Sequence, residues 1–298
     1  MKPDKALSKL NQTSVLLASK TLPITRLDKD IKSIVMIEQH LGKGNYGDVY
    51  RGHIVKTDQP IAIKRVNIIK HDKPHFIRAE IESLYHAMNG GCTPYVCEIY
   101  DVLFDSVNQL LFFIMEYLDG ESLEELILDT DVASDQDLMP IITPLALGLK
   151  CLHDNGIAHR DIKPENIMLT EQGPKWIDFG LSCFQNCDES PGVGNLATIA
   201  PEILANPTKQ PKTLEEWKQA DLWSFGCVVY ETITTETLPT QINFVLAFKA
   251  NPKQFQVDLE APINGLEVIS SDKFPQSLDV LRGCLVLKPS DRHLKTAK

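Results

Sequence analysis

Long hydrophobic runs are missing from this 298-residue sequence. The longest apolar stretches, at residues 110–115 and 227–230, are much shorter than the ~20 residues that a membrane-spanning helix needs. Lysines interrupt residues 1–20, and the continuous apolar core of a secretory signal does not occur there. We therefore expect no membrane span and a cytoplasmic or otherwise intracellular protein.

A surplus of positive charge is also missing. The chain carries 30 Lys and Arg against 40 Asp and Glu, which gives a formal net charge of −10. Nucleic-acid binders and proteins that dock on anionic membranes need basic residues to meet phosphates, so we expect no nucleic-acid partner. The apolar fraction of 43% is that of an ordinary globular protein, and the length suffices for two packed lobes.

Cysteine is scarce and irregularly spaced. The seven cysteines are odd in number, and neither Cys92 and Cys97 nor Cys183 and Cys187 have histidines at zinc-finger spacing. Scattered cysteines of this kind are more typical of reduced thiols in a cytosol than of a disulfide framework. We interpret both close pairs as structural or incidental and expect no metal at them.

Residues 1–30 show only a weak apolar pattern and are rich in Lys, Ser, Thr and Asn. A loosely held helix and a disordered extension both fit such a segment, and we assign it no function. No internal repeat or low-complexity array follows it.

Residues 159–166 read His-Arg-Asp-Ile-Lys-Pro-Glu-Asn and bring a carboxylate, an ammonium and a carboxamide into one short loop. A polar surface turn is the simplest alternative, because these residue types are common in exposed loops. The octapeptide nevertheless resembles the catalytic loop of protein kinases almost letter for letter. The order of the motifs around it supports this resemblance from residue 34 to residue 292.

Phosphoryl transfer asks a protein mainly for positioning and for stabilisation of charge. The resemblance implies that Asp161 orients the attacking hydroxyl and accepts its proton, and that Lys163 neutralises charge developing on the γ-phosphate. It also implies that Asn166 holds a magnesium ion through its amide oxygen. A lysine two residues after the base is typical of Ser/Thr kinases rather than Tyr kinases.

Gly42, Gly44 and Gly47 form a Gly-x-Gly-x-x-Gly pattern. A dinucleotide-binding fold would need a helix to begin at the third glycine, but the residues that follow alternate and predict a strand. The pattern therefore resembles the kinase loop whose backbone N–H groups approach the nucleotide phosphates. The resemblance adds three expected ATP contacts around this loop: Leu41, Val49 and Ala62.

Residues 61–64 read Ile-Ala-Ile-Lys and resemble the kinase strand whose lysine binds the α- and β-phosphates, here Lys64. A lysine in an otherwise apolar strand needs a partner. Apolar spacing over residues 76–88 predicts a helix whose Glu-Ile-x-x-Leu pattern resembles the regulatory helix of the family. Glu80 is the expected ion-pair partner of Lys64, with Glu82 as the alternative, and an exposed helix face is the other interpretation of either glutamate.

Residues 96–103 and 110–115 predict two further strands joined by a polar turn. The segment after them resembles the hinge between kinase lobes, with Met115 as gatekeeper. The resemblance implies that adenine bonds backbone groups of Glu116 and Leu118.

Two more ATP contacts follow from the same resemblance, Ser122 at the ribose and Met168 after the catalytic loop. We place a domain boundary near Tyr117. It divides the chain into an extension at 1–30, a small lobe at 31–117 and a large lobe at 118–298, which ends earlier than the family usually does and is expected to be trimmed or truncated.

The Asp-Phe-Gly triplet at Asp178 resembles the magnesium-binding triplet of the family. The resemblance implies that Asp178 bridges the metal to the phosphates and that Phe179 packs into the core in the active arrangement. Glu202, in an Ala-Pro-Glu motif, is expected to pair with Arg292. Residues 221–230 resemble the buried central helix of the family's large lobe, which implies that Asp221 anchors the backbone of the catalytic loop.

Ser190 lies near the position of the activating phosphate in the family, and Arg160 is its usual receptor. We hypothesise that phosphorylation of Ser190 orders this activation segment, with Asp188 and Glu189 supplying part of the charge when it is unmodified.

Residues 194–199 depart from the usual Gly-Thr-x-x-Tyr-x pattern. Asn195 replaces a threonine that normally bonds the catalytic aspartate and lysine, and Thr198 replaces an aromatic residue. An asparagine can accept and donate, so this contact is compatible with Asn195. The insert at 206–213 is interpreted as a tolerated surface loop, with a partner contact as the alternative.

The sequence thus predicts an α+β, bilobal protein Ser/Thr kinase that uses ATP and Mg²⁺ on a protein substrate, with a regulatory partner of unknown identity. A pseudokinase acting as a nucleotide-binding scaffold is the alternative, based on Asn195, Thr198 and the short C-terminus. Against it, the chain retains four charged or polar positions that pseudokinases typically lose: Lys64, Asp161, Asn166 and Asp178. A small-molecule phosphotransferase would lack the Ala-Pro-Glu and central-helix motifs, which are present here.

Overall fold

The computed structural model describes residues 25–26, 31, 34–43, 47–68, 74–129, 134–185, 187, 194–195, 197–205, 213–238, 251, 260–261, 263–266 and 272–294. The strands in this part of the chain are β1 (Thr25–Arg26), β2 (Val35–Lys43), β3 (Asp48–Ile54), β4 (Pro60–Asn67), β5 (Ile99–Asp105), β6 (Leu110–Glu116), β7 (Gly120–Ser122), β8 (Ile157–Ala158), β9 (Ile167–Thr170), β10 (Gly173–Trp176) and β11 (Cys183–Phe184). The helices are α1 (Pro74–Asn89), α2 (Leu123–Asp129), α3 (Asp135–Asp154), α4 (Pro201–Ala205), α5 (Leu214–Thr234) and α6 (Pro275–Cys284).

A six-stranded sheet forms the small lobe, in the order β1-β5-β6-β4-β3-β2. Its neighbouring strands are antiparallel except β1, which lies parallel to β5. Because side chains alternate along a strand, Lys64 and Val66 share one face of β4. On that face Val66 packs with Ile77 and Ile81 of α1. The lysine therefore points towards the helix that carries its expected partner.

Two long helices, α3 and α5, form much of the core of the large lobe. The N-cap residue Ser134 begins α3, and a capping box between Thr213 and Glu216 begins α5. Most of α5 is buried, including Trp223 and Phe225, so the helix is a rigid base for the residues that bond to it. No helix in the described part of the chain is long and apolar enough to cross a membrane.

Two small sheets flank the catalytic loop and the Asp-Phe-Gly triplet. Strand β8 pairs with β11, and β9 lies between β7 and β10. The catalytic loop joins β8 to β9, and the Asp-Phe-Gly triplet follows β10 after one residue. Strand pairing thus fixes the ends of the loops that carry the charged motifs.

The predicted elements correspond to those observed. The strands expected at 96–103 and 110–115 are β5, which begins three residues later than expected at Ile99, and β6, and the helix expected over 76–88 is α1. Asp105 begins the polar turn between β5 and β6 by accepting the N–H groups of Val107 and Asn108. The α+β class, with a sheet lobe and a helical lobe, is confirmed.

The edge strand β1 was not predicted. Thr25 and Arg26 pair with Leu103 and Phe104 of β5, in a segment for which a helix or disorder had both fitted. A parallel strand of two residues is too short to show the alternation by which strands are found in sequence. Residues 1–24 and 27–30 of the extension lie outside the described residues.

Two disulfides show that the expectation of reduced thiols was wrong. Cys92 is bonded to Cys151, 59 residues further along the chain, and Cys183 is bonded to Cys187. The odd number of cysteines is accounted for by three buried free thiols, Cys97, Cys227 and Cys284. The grouping of Cys92 with Cys97 relied on sequence proximity, whereas the fold brings the loop after α1 against α3.

Candidate active site

The catalytic loop is attached to α5 through Asp221. The two oxygens of this carboxylate accept the backbone N–H groups of His159 and Arg160, both at 2.8 Å. His153 on α3 contacts the same carboxylate at 3.0 Å. Arg160 has a φ of 67°, a left-handed conformation that is unfavourable for a residue with a Cβ atom. The hydrogen bonds to Asp221 hold the backbone in this conformation.

Asp161 lies beside Asn166 and Lys163 and is 3% exposed. The Nδ2 atom of Asn166 donates to the backbone oxygen of Asp161 at 2.8 Å and to its Oδ2 at 2.9 Å. The Nζ atom of Lys163 lies 3.3 Å from the same Oδ2. These contacts orient the carboxylate and, among the described residues, leave Oδ1 available to a substrate hydroxyl.

Lys64 bonds two carboxylates from different parts of the molecule. Its Nζ atom lies 2.5 Å from Oε1 of Glu80 on α1 and 3.2 Å from Oδ1 of Asp178. The Lys64 and Glu80 side chains are 5% and 2% exposed. The alternative partner, Glu82, instead bonds Arg78 on the surface of α1 at 2.7 Å. The geometry therefore selects Glu80.

Burial and charge pairing act in opposite directions on these three groups. Burial alone would lower the pKa of Lys64, but the carboxylates of Glu80 and Asp178 outweigh it and raise this pKa above its usual value. Burial raises the pKa of Glu80, although Lys64 opposes this shift. Burial of Asp178 is outweighed by Lys64, which lowers the Asp178 pKa. At neutral pH the ammonium of Lys64 and the carboxylate of Asp178 are therefore both charged.

The Asp-Phe-Gly triplet also departs from ordinary backbone geometry. Asp178 has a φ of 53°, and its Oδ1 accepts the N–H of Gly180 at 3.3 Å. Phe179 is 1% exposed, and its ring centre lies 4.8 Å from that of His159 in the catalytic loop. Left-handed residues at two adjoining loops are typical of functional sites, where surrounding packing holds a strained backbone in place.

The expected ATP contacts of the small lobe share one face of the sheet. Val49 is opposite Lys64 in the register of β3 and β4, and Ala62 is opposite Met115 in the register of β4 and β6. Residues directly opposite each other in a pair of strands point the same way, as do residues two apart on one strand. The side chains of Val49, Ala62 and Met115 therefore lie on the same face as that of Lys64. Leu41, on the edge strand β2, is 43% exposed.

The glycine loop is described only at its ends. A Cβ atom on Gly47 would lie 2.1 Å from the backbone oxygen of Arg65, so the approach of β3 to β4 requires glycine here. A Cβ atom on Gly42 would meet nothing within 4 Å. Gly44 lies outside the described residues.

The hinge begins at Glu116, the last residue of β6. Its carboxylate is bound by Lys175 of β10, a residue that the sequence analysis did not single out. Strand β7 begins two residues after Leu118 and ends at Ser122. The hydroxyl of Ser122 forms hydrogen bonds with the backbone N–H and the carboxylate of Glu125 at the start of α2. The Ser-x-x-Glu spacing at 122–125 is the signal of a capping box that could have been found in the sequence.

Known proteins provide an independent comparison for this arrangement. The profile of the protein kinase domain matches residues 35–297. The chain belongs to the protein kinase family. Its charged motifs are those of the eukaryotic Ser/Thr type, and relatives bearing that description are similar to most of this kinase domain.

The relatives of this kinase domain include three curated proteins from microbial eukaryotes. A probable serine/threonine-protein kinase of Dictyostelium discoideum is 33% identical over 67% of this chain and 31% of its own length. Serine/threonine-protein kinase STE20 of Saccharomyces cerevisiae is 29% identical over 85% of this chain and 25% of its own length. Serine/threonine-protein kinase shk1/pak1 of Schizosaccharomyces pombe is 33% identical over 66% of this chain and 28% of its own length. The chain thus spans about a quarter to a third of the length of these relatives.

The expected phosphate receptor of this kinase domain contacts an aromatic ring. The guanidinium carbon of Arg160 lies 4.4 Å from the ring centre of Trp217 on α5, a cation–π contact. Ser190, together with Asp188 and Glu189, lies outside the described residues. The insert at 206–212 does so too, and only Thr213 at its end is described, as part of the α5 capping box.

Asn195 does not make the contact expected of it. Among the described residues it has no hydrogen bond to Asp161 or Lys163, and its Oδ1 instead accepts the N–H of Ala197 at 2.9 Å. A short asparagine side chain readily bonds the backbone two residues further on. The side chain therefore closes a local turn and does not bridge to the catalytic loop.

Thr198 makes the link between the activation segment and the catalytic loop. Its hydroxyl donates to the backbone oxygen of Ile162 at 2.8 Å, and its own backbone oxygen accepts the hydroxyl of Ser224 on α5 at 2.8 Å. Thr198 is 3% exposed. A residue first noted as a departure from the family pattern thus joins three segments of this kinase domain.

The donor set fits magnesium and a nucleotide triphosphate. The amide nitrogen of Asn166 donates to Asp161, so its Oδ1 is the atom that would be presented to a metal ion. The Asp178 side chain remains 19% exposed, so its carboxylate is accessible from the cleft. Magnesium prefers oxygen ligands of this kind and phosphate oxygens, and Lys64 supplies the adjacent positive charge.

Proposed function

We propose that this chain is a protein Ser/Thr kinase that transfers the γ-phosphoryl group of Mg-ATP to serine or threonine hydroxyls of protein substrates. The observation that carries the proposal is the position of Lys64 between Glu80 and Asp178. This contact joins the sheet, the helix α1 and the Asp-Phe-Gly triplet, and a triphosphate needs a cation at that junction.

In this proposal Asp161 orients the substrate hydroxyl and accepts its proton at Oδ1. Asn166 holds the carboxylate through Oδ2, and Lys163, beside the same oxygen, contributes positive charge near the transferred phosphoryl group. Because Asp161 is buried and already bonded, its orientation is set before the substrate binds. Such preorganisation is a large part of the catalysis of phosphoryl transfer.

The remaining roles concern binding. Asn166 and Asp178 would hold magnesium, which when bound neutralises phosphate charge. Glu80 keeps the ammonium of Lys64 aimed into the cleft. Adenine would lie on the shared face formed by Val49, Ala62 and Met115 and bond the hinge backbone at Glu116 and Leu118.

Ser122 would contact the ribose, with its hydroxyl shared with the α2 cap, and Phe179 would report the active arrangement. We further propose the lobe division of 31–117 and 118–298, with residues 1–30 as an extension whose residues Thr25 and Arg26 add the edge strand β1 to the small-lobe sheet. The pseudokinase alternative has no support, since the curated relatives are named as kinases and the charged positions are filled.

Phosphorylation of Ser190 remains part of the proposal as a regulatory step, with Arg160 as receptor. The test compares the kinase activity of three proteins: wild type lacking phosphate, wild type phosphorylated at Ser190, and Ser190→Ala. If Ser190→Ala retains the full activity of the phosphorylated protein, this regulatory step does not exist.

Transfer of labelled γ-phosphate to a generic basic protein tests the function. Wild type is compared with Asp178→Asn, followed by phosphoamino-acid analysis of the product. We expect label on serine or threonine that requires magnesium and that Asp178→Asn abolishes. Label on tyrosine alone would overturn the substrate class, and silence of both proteins in the presence of bound Mg-ATP and phosphorylated Ser190 would favour a scaffold.

A further inference from the structure

Lys175 is a buried cation that the proposed mechanism does not use. It lies on β10 with its side chain 9% exposed, and its Nζ atom is 2.6 and 2.8 Å from the two carboxylate oxygens of Glu116. An ammonium is costly to bury unless it is paired and hydrogen-bonded, and this one meets a carboxylate through both oxygens. A contact of this kind holds both partners in one geometry.

Glu116 is also held by Glu98, the residue that precedes β5. Its backbone N–H donates to the oxygen of Glu98 at 2.9 Å, and its Oε2 accepts the backbone N–H of Glu98 at 3.2 Å. The side chain and backbone of Glu116 are therefore both fixed at the end of β6. The backbone of this residue and of Leu118 is where the hinge would bond adenine, so the orientation of Glu116 sets the direction of those groups.

Lys175 also lies opposite a residue that the proposed function places at the nucleotide. In the register of β10 and β9 it is directly opposite Met168, the expected ATP contact of the large lobe. It also precedes Asp178 by three residues. One lysine thus connects the hinge, the large-lobe wall and the strand that leads to the metal-binding aspartate.

We propose that Lys175 is a positioning residue for the nucleotide, which fixes the hinge at Glu116 relative to the large-lobe wall at Met168. The inference rests on the proposed function in that the nucleotide is ATP. Loss of the ammonium leaves the carboxylate of Glu116 without its counter-charge, and the hinge moves to rehydrate it. Nucleotide affinity then falls, whereas Asp161 and its hydrogen bonds are untouched.

The test measures affinity directly, by calorimetric titration of the full chain with Mg-ADP, and compares it with turnover. For Lys175→Met we expect the Kd for Mg-ADP and the KM for ATP to rise at least about fivefold. The kcat at saturating ATP and the KM for the protein substrate should stay within about twofold, because the transition-state contacts are intact. Lys175→Arg should recover most of the affinity, since it restores a cation that can bind both oxygens.

Two further variants separate positioning from general damage. Lys150→Met removes an exposed cation that pairs with Asp154, and it should leave the Kd for Mg-ADP unchanged. The double variant Lys175→Met/Glu116→Met should bind Mg-ADP no more weakly than the weaker single variant, because both changes break one contact. If Lys175→Met does not fold, Lys175→Gln takes its place in every comparison.

The outcomes distinguish this inference from the proposed function. An unchanged Kd for Mg-ADP, additive effects in the double variant, or a fall in kcat with unchanged Kd would each overturn the positioning role. A wild type that binds Mg-ADP but transfers no phosphate overturns the kinase activity alone, and the role of Lys175 is then judged by the Kd values. A wild type that does not bind Mg-ADP overturns both.

Discussion

Arg292 and Glu202 form a bidentate ion pair, although they are 90 residues apart in the sequence. The Nη1 and Nη2 atoms of the arginine donate to the two oxygens of the glutamate at 2.6 and 2.8 Å. The arginine is 4% exposed, and it also donates to the backbone oxygens of Val286 and Gln219. The Ala-Pro-Glu motif that closes the activation segment is thereby attached to the segment after α6 and to α5.

Replacing Arg292 with lysine should destabilise the large lobe. A lysine cannot donate in parallel to both oxygens and to two backbone carbonyls, so buried acceptors lose their partners. We expect Arg292→Lys to lower the free energy of unfolding by about 2 kcal/mol, as measured by urea denaturation. A loss below about 0.5 kcal/mol would show that the pair does not hold the motif.

The Lys64–Glu80 pair predicts a pH dependence that appears when the lysine is removed. In Lys64→Met the glutamate stays buried without its counter-charge, so its pKa rises further above the ordinary value of 4.5. A carboxyl whose folded pKa is raised binds more protons in the folded state, so stability falls as pH rises from the unfolded to the folded pKa. The loss of free energy of unfolding that Lys64→Met causes relative to wild type should therefore be smaller at pH 5 than at pH 8.

The double variant Lys64→Met/Glu80→Gln is the control for this effect. It has no titrating carboxyl at the position, so its difference from wild type should change much less between pH 5 and pH 8. A pH dependence equal to that of Lys64→Met would place its origin in another group.

Reduction of the disulfides should lower thermal stability in two separable parts. In the loop-entropy description, the Cys92–Cys151 bond, which joins residues 59 apart, contributes about 4 kcal/mol, and the Cys183–Cys187 bond, which joins residues 4 apart, about 2 kcal/mol. Dithiothreitol should therefore lower the Tm of wild type more than that of Cys92→Ser/Cys151→Ser. Equal shifts in both proteins would mean that the long-range bond does not stabilise the fold.

Thr198→Val should impair the use of the protein substrate more than the use of ATP. The change keeps the shape of the side chain but removes the hydroxyl that donates to Ile162, which leaves a buried oxygen without this donor. The kcat/KM for the protein substrate should fall at least about fivefold, and the KM for ATP should stay within about twofold. Thr198→Ser restores the hydroxyl and should restore substrate use, and its failure to do so would assign the effect to packing.

The charged motifs could be predicted because each needs a specific residue type in a specific order. The roles proposed for Asp161, Asn166 and Asp178 need carboxylate or carboxamide groups that few other side chains supply, and short strands flank the loops that carry them. Glu80 could be preferred to Glu82 because the pattern around it resembles the regulatory helix of the family, and in the structure Glu80 contacts Lys64 whereas Glu82 bonds Arg78.

Contacts that depend on three-dimensional proximity could not be predicted in this way. The bond between Cys92 and Cys151 requires the loop after α1 to meet α3, and no local pattern records that meeting. In the sequence, nothing distinguishes Lys175 from other lysines in strands. Its register opposite Met168 and its contact with Glu116 are seen only in the structure. For Asn195, the competition between a local turn and a longer contact was decided by backbone geometry.

The proposed role of Asp161 as proton acceptor is tested most directly by the turnover of Asp161→Asn with saturating Mg-ATP and protein substrate. We expect kcat to fall about 100-fold or more because the proton acceptor is lost, while the Kd for Mg-ADP stays within about twofold of wild type. Asp279→Asn, at an exposed position of α6, serves as the matched control and should retain wild-type kcat. A kcat of Asp161→Asn close to that of wild type would contradict the role of this carboxylate and with it the proposed mechanism.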